Sequence, residues 1–295
     1  MIIIGENIHV IAKDVSVAIR ERNAKVIQGL TKEQTQSGAD YIDVNVGPMK
    51  KDTEETMKWL VTNVQEVTDL PLSIDTMNPV AMEAGLKFCK KRALINSASG
   101  KTDSKAQMLP LAKKYNCGVV ISVMTDKGMP PEIETKIESI METVAYANEL
   151  GIPNEDIWVD PIILPVSTAG EGQKIAVGNL EFIKILQDVL PGVKSTVGLS
   201  NVSNGVPDHL RPILNRTYLV MLGRNGLYSA IADPLDEELM SFIKGEIPKI
   251  TDLIYRTMDG EEIDLSSLSQ KEVAYVKTAG VLMAQSLYSD AWLEI

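Results

Sequence analysis

The chain has 295 residues, 44% of them hydrophobic, with 40 acidic against 29 basic side chains and a formal net charge of -11. That apolar content supports a large core and excludes general disorder. The acidic balance argues against a polyanionic partner such as nucleic acid, which needs clustered Lys and Arg. Cys89 and Cys117 form neither a metal-binding spacing nor a disulfide framework, so both are expected as buried free thiols. No apolar run approaches the length of a membrane span. The chain opens on the apolar stretch MIIIG without a basic leader, and a cytoplasmic protein is expected.

MIIIGEN (1–7) reads as a first strand whose unbroken apolar run fits a strand covered on both sides. A helical segment in two pieces follows, the second with Val26, Ile27 and Leu30 on one face and Gly38 at its end. YIDVNVG (41–47) is the second strand. Asp52 with Glu55 suggests a capping box, and Met57, Leu60, Val61 and Val64 supply a buried stripe. LSIDT (72–76) is the third strand, and Asn78-Pro79 then starts a helix. ALINSAS (93–99) and GVVISVM (118–124) are strands four and five, with a helix between them. Residues 131–150 carry Ile133, Ile137, Ile140, Met141 and Val144 at helical spacing, with Gly151 as the stop. IWVDPII (157–163) is strand six.

The next stretch, PVSTAGEGQKIAVGN, is Gly-rich and reads as a long loop, with a helix near 178–190 after it. Residues 193–199 form strand seven, 209–224 a helix, and LYSAIADP (227–234) strand eight. Eight alternating βα units are the number that closes a TIM barrel, and the first turn lacks the G-x-G-x-x-G of a dinucleotide-binding sheet. The tail departs from the repeat: 244–270 reads as an irregular insertion, and 270–289 as a C-terminal helix with Val273, Val276, Val281, Leu282 and Leu287 as apolar positions. Residues 1–295 are therefore expected to form a single α/β domain.

In a TIM barrel the carboxyl ends of the strands carry the chemistry. Here Asp75, Asn96, Asp160, Asn201 and Asp233 stand at such ends, with Asn45 and Glu6 beside them. Any one of them could be a turn or capping residue, but turn chemistry does not require so many strands to end in amides and carboxylates. No strand ends in a Lys suited to a Schiff base, and His9 and His209 lie in no metal-ligand pattern, so no metal is expected. Carboxylates and amides without cations suit a neutral heterocycle rich in N–H donors and ring acceptors. A carboxylate can accept a pair of hydrogen bonds from an aminopyrimidine edge, and Asn can donate and accept. A pterin has that edge.

From MIIIGE through IDVNVGP, SIDT, ALINS, VDPIILP, GLSNVS, RPILNRT and AIADP to LYSDAWL, the chain resembles the pterin-binding methyltransferases that move a methyl group between tetrahydrofolate and a corrinoid protein. Those relatives include the enzymes serving a corrinoid iron–sulfur protein and the folate-side enzymes of corrinoid demethylation systems. The resemblance implies a pterin-binding TIM barrel in which Asp75, Asn96 and Asp160 hold the pterin ring. Gly198 and Ser200 would shape the floor, Asn201 would hydrogen-bond near N5, and Arg211 would sit at the rim. Tetrahydrofolate or 5-methyltetrahydrofolate would be the substrate. Cobalamin would arrive on a partner corrinoid protein, since no base-off His motif occurs in this chain. A homodimer is also implied. The sequence offers no obvious general acid for N5.

Two departures bear on the partner. Asn204 stands where enzymes of the corrinoid iron–sulfur partners carry Gln, and 244–270 looks inserted relative to them. Both lean towards methyl transfer from methylcobalamin to tetrahydrofolate in a demethylation pathway, with transfer from methyltetrahydrofolate to a corrinoid iron–sulfur protein as the alternative. Dihydropteroate synthase shares the barrel, but its relatives look for a Lys or Arg after strand seven in a GLSRK-like run, where this chain has GLSNVS. A non-catalytic folate-binding protein would keep the same ring of residues and is the alternative of a different class.

Overall fold

In a computed structural model, which describes residues 1–10, 12–47 and 52–294, eight parallel strands close into a barrel in the order β1 to β8. The strands are β1 Ile2–Gly5, β2 Tyr41–Asn45, β3 Leu72–Asp75, β4 Leu94–Ser99, β5 Gly118–Ser122, β6 Ile157–Asp160, β7 Lys194–Gly198 and β8 Ser229–Ala232. The connecting helices are α1 Lys13–Arg20, α2 Ala24–Ser37, α3 Thr53–Val64, α4 Pro79–Phe88, α5 Thr102–Tyr115, α6 Ile133–Glu149, α7 Gly172–Val189 and α8 Arg211–Arg224. Three more, α9 Glu237–Ile243, α10 Pro248–Met258 and α11 Gln270–Leu282, complete the tail. No helix among the described residues is long and apolar enough to cross a membrane.

Alternation within each strand divides the core in two. Ile3, Ile42, Val44, Ile74, Ile95, Val119, Ile121, Val159, Val197 and Ala230 point outward and pack with the helix stripes in one continuous cluster. The α3 stripe of Met57, Leu60, Val61 and Val64 is fully buried there, as its helical spacing requires. Ile4, Leu94, Val120 and Trp158 point inward and form a separate, smaller cluster. Trp158 packs edge-on against Tyr41 and Tyr228, with Lys194 Nζ over two of the rings. This aromatic layer lies towards the amino-terminal end of the barrel, away from the carboxyl ends of the strands.

Several local signals act as the sequence implies. Gly38 ends α2 with φ at 100°, a left-handed cap that a side chain disfavours. Asn78 caps α4 by accepting from the Val80 and Ala81 amides, with Pro79 in the first turn. Others differ. Asp52 precedes α3, but its φ of 54° is far from the extended backbone that aims a capping side chain, and it accepts no capping hydrogen bond. Met141 is 45% exposed, because Ile140, Val144 and Ala147 already fill the buried face of α6. Cys117 is buried and Cys89 only half-buried.

The stretch expected as a loop over 165–179 is half helix. Its glycines make one tight turn in which the Gly172 amide donates to Thr168, and α7 starts there. A Cβ at Gly172 would lie 2.3 Å from the Pro165 carbonyl oxygen, so the turn needs glycine for close approach. The tail is likewise more regular than expected. Within 244–270, Pro248–Met258 form α10, whose Ile250, Leu253, Ile254 and Thr257 form a buried stripe and pack against α8 and α11. The polar positions between those residues hid the stripe. α11 stops at Leu282, short of 289; Ala284 takes a φ of 56° and Leu287 is 88% exposed.

Candidate active site

On the inner face each strand turns from apolar to polar as it rises. Ile4 gives way to Glu6, Tyr41 to Asp43 and Asn45, Leu94 to Asn96, and Trp158 to Asp160. The period of two that buries one face thus also lines up the polar ends. A cavity of about 480 Å³ at the mouth is bounded by Glu6, His9, Asp43, Asn45, Asp75, Asn96, Asp160, Gly198, Ser200, Asn201, Asn204, Arg211 and Ile231. Two more cavities adjoin it. One of about 570 Å³ shares Asp75, Asn96 and Asp160 and extends over α5 past Lys101 and Gln107. The other, of about 350 Å³, shares Glu6, His9, Ser200 and Arg211 and reaches Asp208, Asn215 and Asp236.

The β2–β4 wall is a hydrogen-bonded carboxylate network. Asn45 Nδ2 donates to Asp75 Oδ2 at 2.5 Å, while Asn45 Oδ1 accepts from the Gly47 amide. Asp43 Oδ1 accepts from Ser73 Oγ at 2.7 Å and from Asn96 Nδ2 at 2.8 Å. The β4–β5 pairing shifts register between Ile95 and Ala98, so Asn96 lies at an irregularity of the ladder. Burial, against its two donors, raises the Asp43 carboxyl to about 6. Burial first, then the Asp43 charge, push Asp75 well above the ordinary carboxylate range, and the Asn45 amide only partly opposes them. A charge on Asp43 thus disfavours a second charge on Asp75.

Asp160 ends β6, because Pro161 has no N–H to continue the ladder and Ile162 adopts φ = 63°. A β-branched residue in that region is strained, and the surroundings hold it. Its amide donates to Asp160 Oδ1 at 2.8 Å, and its carbonyl accepts from Asn179 Nδ2 at 3.0 Å. Lys136, only 3% exposed, donates to Asn179 Oδ1 and to the Pro161 carbonyl. Burial lifts Asp160 to about 6, with the Ile162 amide and the Lys136 charge pulling the other way.

After β7, Leu199–Ser203 winds into a 3-10 turn that leaves Asn201 and Asn204 exposed at the rim. A Cβ on Gly198 would approach Asn201 Nδ2 to 3.0 Å, so the glycine gives that amide its place. Ser200 Oγ donates to Glu6 Oε2 at 3.1 Å, and Arg211 Nε donates to Ser203 Oγ at 3.3 Å. Arg211 therefore braces the turn from the side. Among the described residues, no group of three or more His, Cys, Asp or Glu side chains is placed to hold a metal ion.

Asp75, Asn96, Asp160, Gly198, Ser200, Asn201, Asn204 and Arg211 thus all border one cavity, together with Glu6 and Asn45. Asp233 does not. Its carboxylate is engaged by Asn7 Nδ2 and the Leu235 amide, and it faces the adjoining cavity. Asp43 is a central member that strand-end reasoning passes over, although its spacing of two from Asn45 puts both on one face. His9 borders the mouth as well, whereas Lys136 and Asn179 lie on helices behind the wall, where no sequence pattern marks them.

Residues 16–229 match the pterin binding enzyme family. The chain is 31% identical over 245 residues to the methylcorrinoid:tetrahydrofolate methyltransferase of Eubacterium limosum, covering 82% of this chain and 89% of that protein. It is 25% identical over 276 residues to the methionine synthase of Mycobacterium tuberculosis, a match spanning 88% of this chain and 23% of that longer protein. Among solved structures, Yersinia pestis dihydropteroate synthase superposes with a TM-score of 0.62 at 17% identity, over 83% of this chain and 93% of that one. The Xanthomonas albilineans enzyme gives 0.60 at 15% identity, over 83% and 92%. At that identity the structures speak to the barrel alone. The family match and the E. limosum relative go further, and with the ring of carboxylates and amides at the barrel mouth they make this chain a member of the pterin-binding enzyme family.

Proposed function

We propose that the protein is a tetrahydrofolate:corrinoid methyltransferase, moving a methyl group from a methylcorrinoid to the N5 nitrogen of tetrahydrofolate. One observation carries this: Asp75, Asn96 and Asp160 border a single mouth cavity together with the exposed Asn201. The donor and acceptor set fits a pterin. Asp160 and Asp75 supply acceptors for an aminopyrimidine edge, and Asn96 supplies an amide that can pair either way. Asp160, raised only to about 6, is mainly a carboxylate at neutral pH. The E. limosum relative is named for this reaction, which supports transfer towards the folate.

Asn201 stands above the wall, and its amide can stabilise charge that changes at N5 during transfer. Stabilisation that strengthens in the transition state accelerates the step. Cobalt chemistry is supplied by the corrinoid when its carrier protein docks on the mouth, and the exposed Asn201 and Asn204 leave that side open to it. The macromolecular partner in this proposal is that corrinoid protein in the cytoplasm, and the enzyme itself is a homodimer, for which the family resemblance is the support.

Isothermal titration with tetrahydrofolate tests the pocket, using the unaltered protein and Asp75→Ala. Absorbance changes of methylcobalamin, used as a free methyl donor, test the chemistry. Micromolar binding that Asp75→Ala abolishes, together with turnover, supports the proposal. Binding without turnover favours a folate-binding protein, and no binding overturns the pterin assignment.

A further inference from the structure

Glu6 is a half-buried acid with no task in holding the pterin ring. It follows β1 on the inner face, and its Oε2 accepts from Ser200 Oγ in the turn that carries Asn201. It borders the mouth cavity on one side and the 350 Å³ recess on the other. The other mouth carboxyls have other roles: Asp75, bonded to Asn45, and Asp160, bonded to the Ile162 amide, are the acceptors for the pterin edge, and Asp43 is held by Ser73 and Asn96. Asn201 has no proton to exchange near neutral pH. Glu6 is thus a titratable group on the Asn201 side of the mouth that is tied to a single hydroxyl.

We propose that Glu6 takes up the proton released from N5 of tetrahydrofolate during methyl transfer, an inference that rests on the methyltransferase reading of the same cavity. In that step the N5–CH3 bond forms as the Co–CH3 bond breaks, and the electron pair of the broken bond stays on cobalt. The N5–H bond then breaks, its electron pair stays on nitrogen, and the proton passes to the Glu6 carboxylate. The neutral carboxyl releases it to solvent through the recess lined by His9, Asp208 and Arg211. No oxidant or reductant beyond the two substrates is needed. In reverse, the neutral carboxyl donates the proton that makes N5 a better leaving group.

The surroundings suit a proton carrier. Groups from every neighbouring element face Glu6: Asp43 from β2, Asp233 after β8, Arg211 from α8, Ser200 after β7 and His9 from the loop that follows β1. Burial, reinforced by the Asp233 and Asp43 charges, lifts the carboxyl to about 7, against the Ser200 hydroxyl and Arg211. Burial also lowers the His9 pKa, which keeps that imidazole neutral and adds no competing charge. An acid poised near the working pH both takes and gives a proton efficiently.

The test is Glu6→Gln, an isosteric change that keeps an acceptor for Ser200. Tetrahydrofolate affinity is measured by titration calorimetry, and methyl transfer from free methylcobalamin is followed in single turnovers between pH 5.5 and 8.5. The unaltered protein should show a rate that rises with pH through the Glu6 ionisation. Glu6→Gln should keep its Kd for tetrahydrofolate within about twofold, lose roughly a hundredfold in rate and lose the pH limb. Ser200→Ala removes a hydrogen bond that favours the carboxylate, so its limb should persist but move to higher pH. A Glu6→Gln protein with the unaltered rate and limb overturns the Glu6 assignment and leaves the methyltransferase intact. Failure of the unaltered protein to bind tetrahydrofolate overturns both.

Discussion

Replacing Lys136 by Met tests whether a buried cation behind the wall sets the conformation that presents Asp160. Lys136 touches the cavity nowhere, yet its ammonium donates to the Pro161 carbonyl at 3.3 Å and to Asn179 Oδ1 at 3.2 Å. Hydrogen bonds from a charged donor contribute about 1.5–3 kcal/mol each, and both of these are at the long end. Against them stands the cost of burying the ammonium, several kcal/mol in real proteins. Met removes both terms, so global stability in urea should change by less than about 2 kcal/mol. The local effect is different. The left-handed Ile162 stores about 1–3 kcal/mol of strain, which the turn can relax once Pro161 and Asn179 are no longer held. Asp160 then leaves its position, and tetrahydrofolate affinity should fall at least about tenfold, equivalent to ~1.4 kcal/mol. Losing the Lys136 charge also removes an influence that lowers the Asp160 pKa. That carboxyl should therefore titrate above about 6, and the acid limb of binding should shift to higher pH. Calorimetry from pH 5.5 to 8 reads both effects. Binding by Lys136→Met with unaltered Kd and an unaltered acid limb would refute the idea that Lys136 positions Asp160.

Two further outcomes are expected. Asp43, lifted from 3.8 to about 6 by burial, binds its proton more tightly folded than unfolded, so its contribution is fully favourable below pH 4 and is lost as pH rises to about 6. Thermal unfolding of Asp43→Asn should accordingly show a flatter stability profile between pH 4 and 6.5 than the unaltered protein, and equal slopes would contradict a protonation difference at this residue. Gly198→Ala places a methyl 3.0 Å from Asn201 Nδ2, the mobile tip of an exposed side chain, so the fold should survive with little change in Tm. The displaced amide should slow single-turnover methyl transfer roughly tenfold or more, whereas an unchanged rate would argue that Asn201 does not meet the reacting nitrogen.

The barrel and most of its mouth are legible in the sequence for a local reason. A strand buried on both faces is a short apolar run, and its polar terminal residue stands out against it, as in LSID and IWVD. Asp43 escapes that reasoning because it sits within β2, two residues before the more conspicuous Asn45, where an acid looks like an interruption of the strand. Glu6 is visible as a residue, but its acidity is not, since burial and the approach of Asp233 and Asp43 are products of barrel closure. Lys136 and Asn179 lie 25 and 17 residues from the turn they hold. Glycines mislead in the stretch after β6, where one tight turn makes the first half of α7 look like loop. Alternating polar residues mislead at α10.

The aromatic layer of Trp158, Tyr41 and Tyr228 gives the two ends of this barrel separate fates in evolution. Packing at one end is secured by residues that border none of the three mouth cavities, so the other end can exchange side chains without disturbing that layer. That independence is compatible with a barrel architecture shared with dihydropteroate synthases at under one-fifth sequence identity.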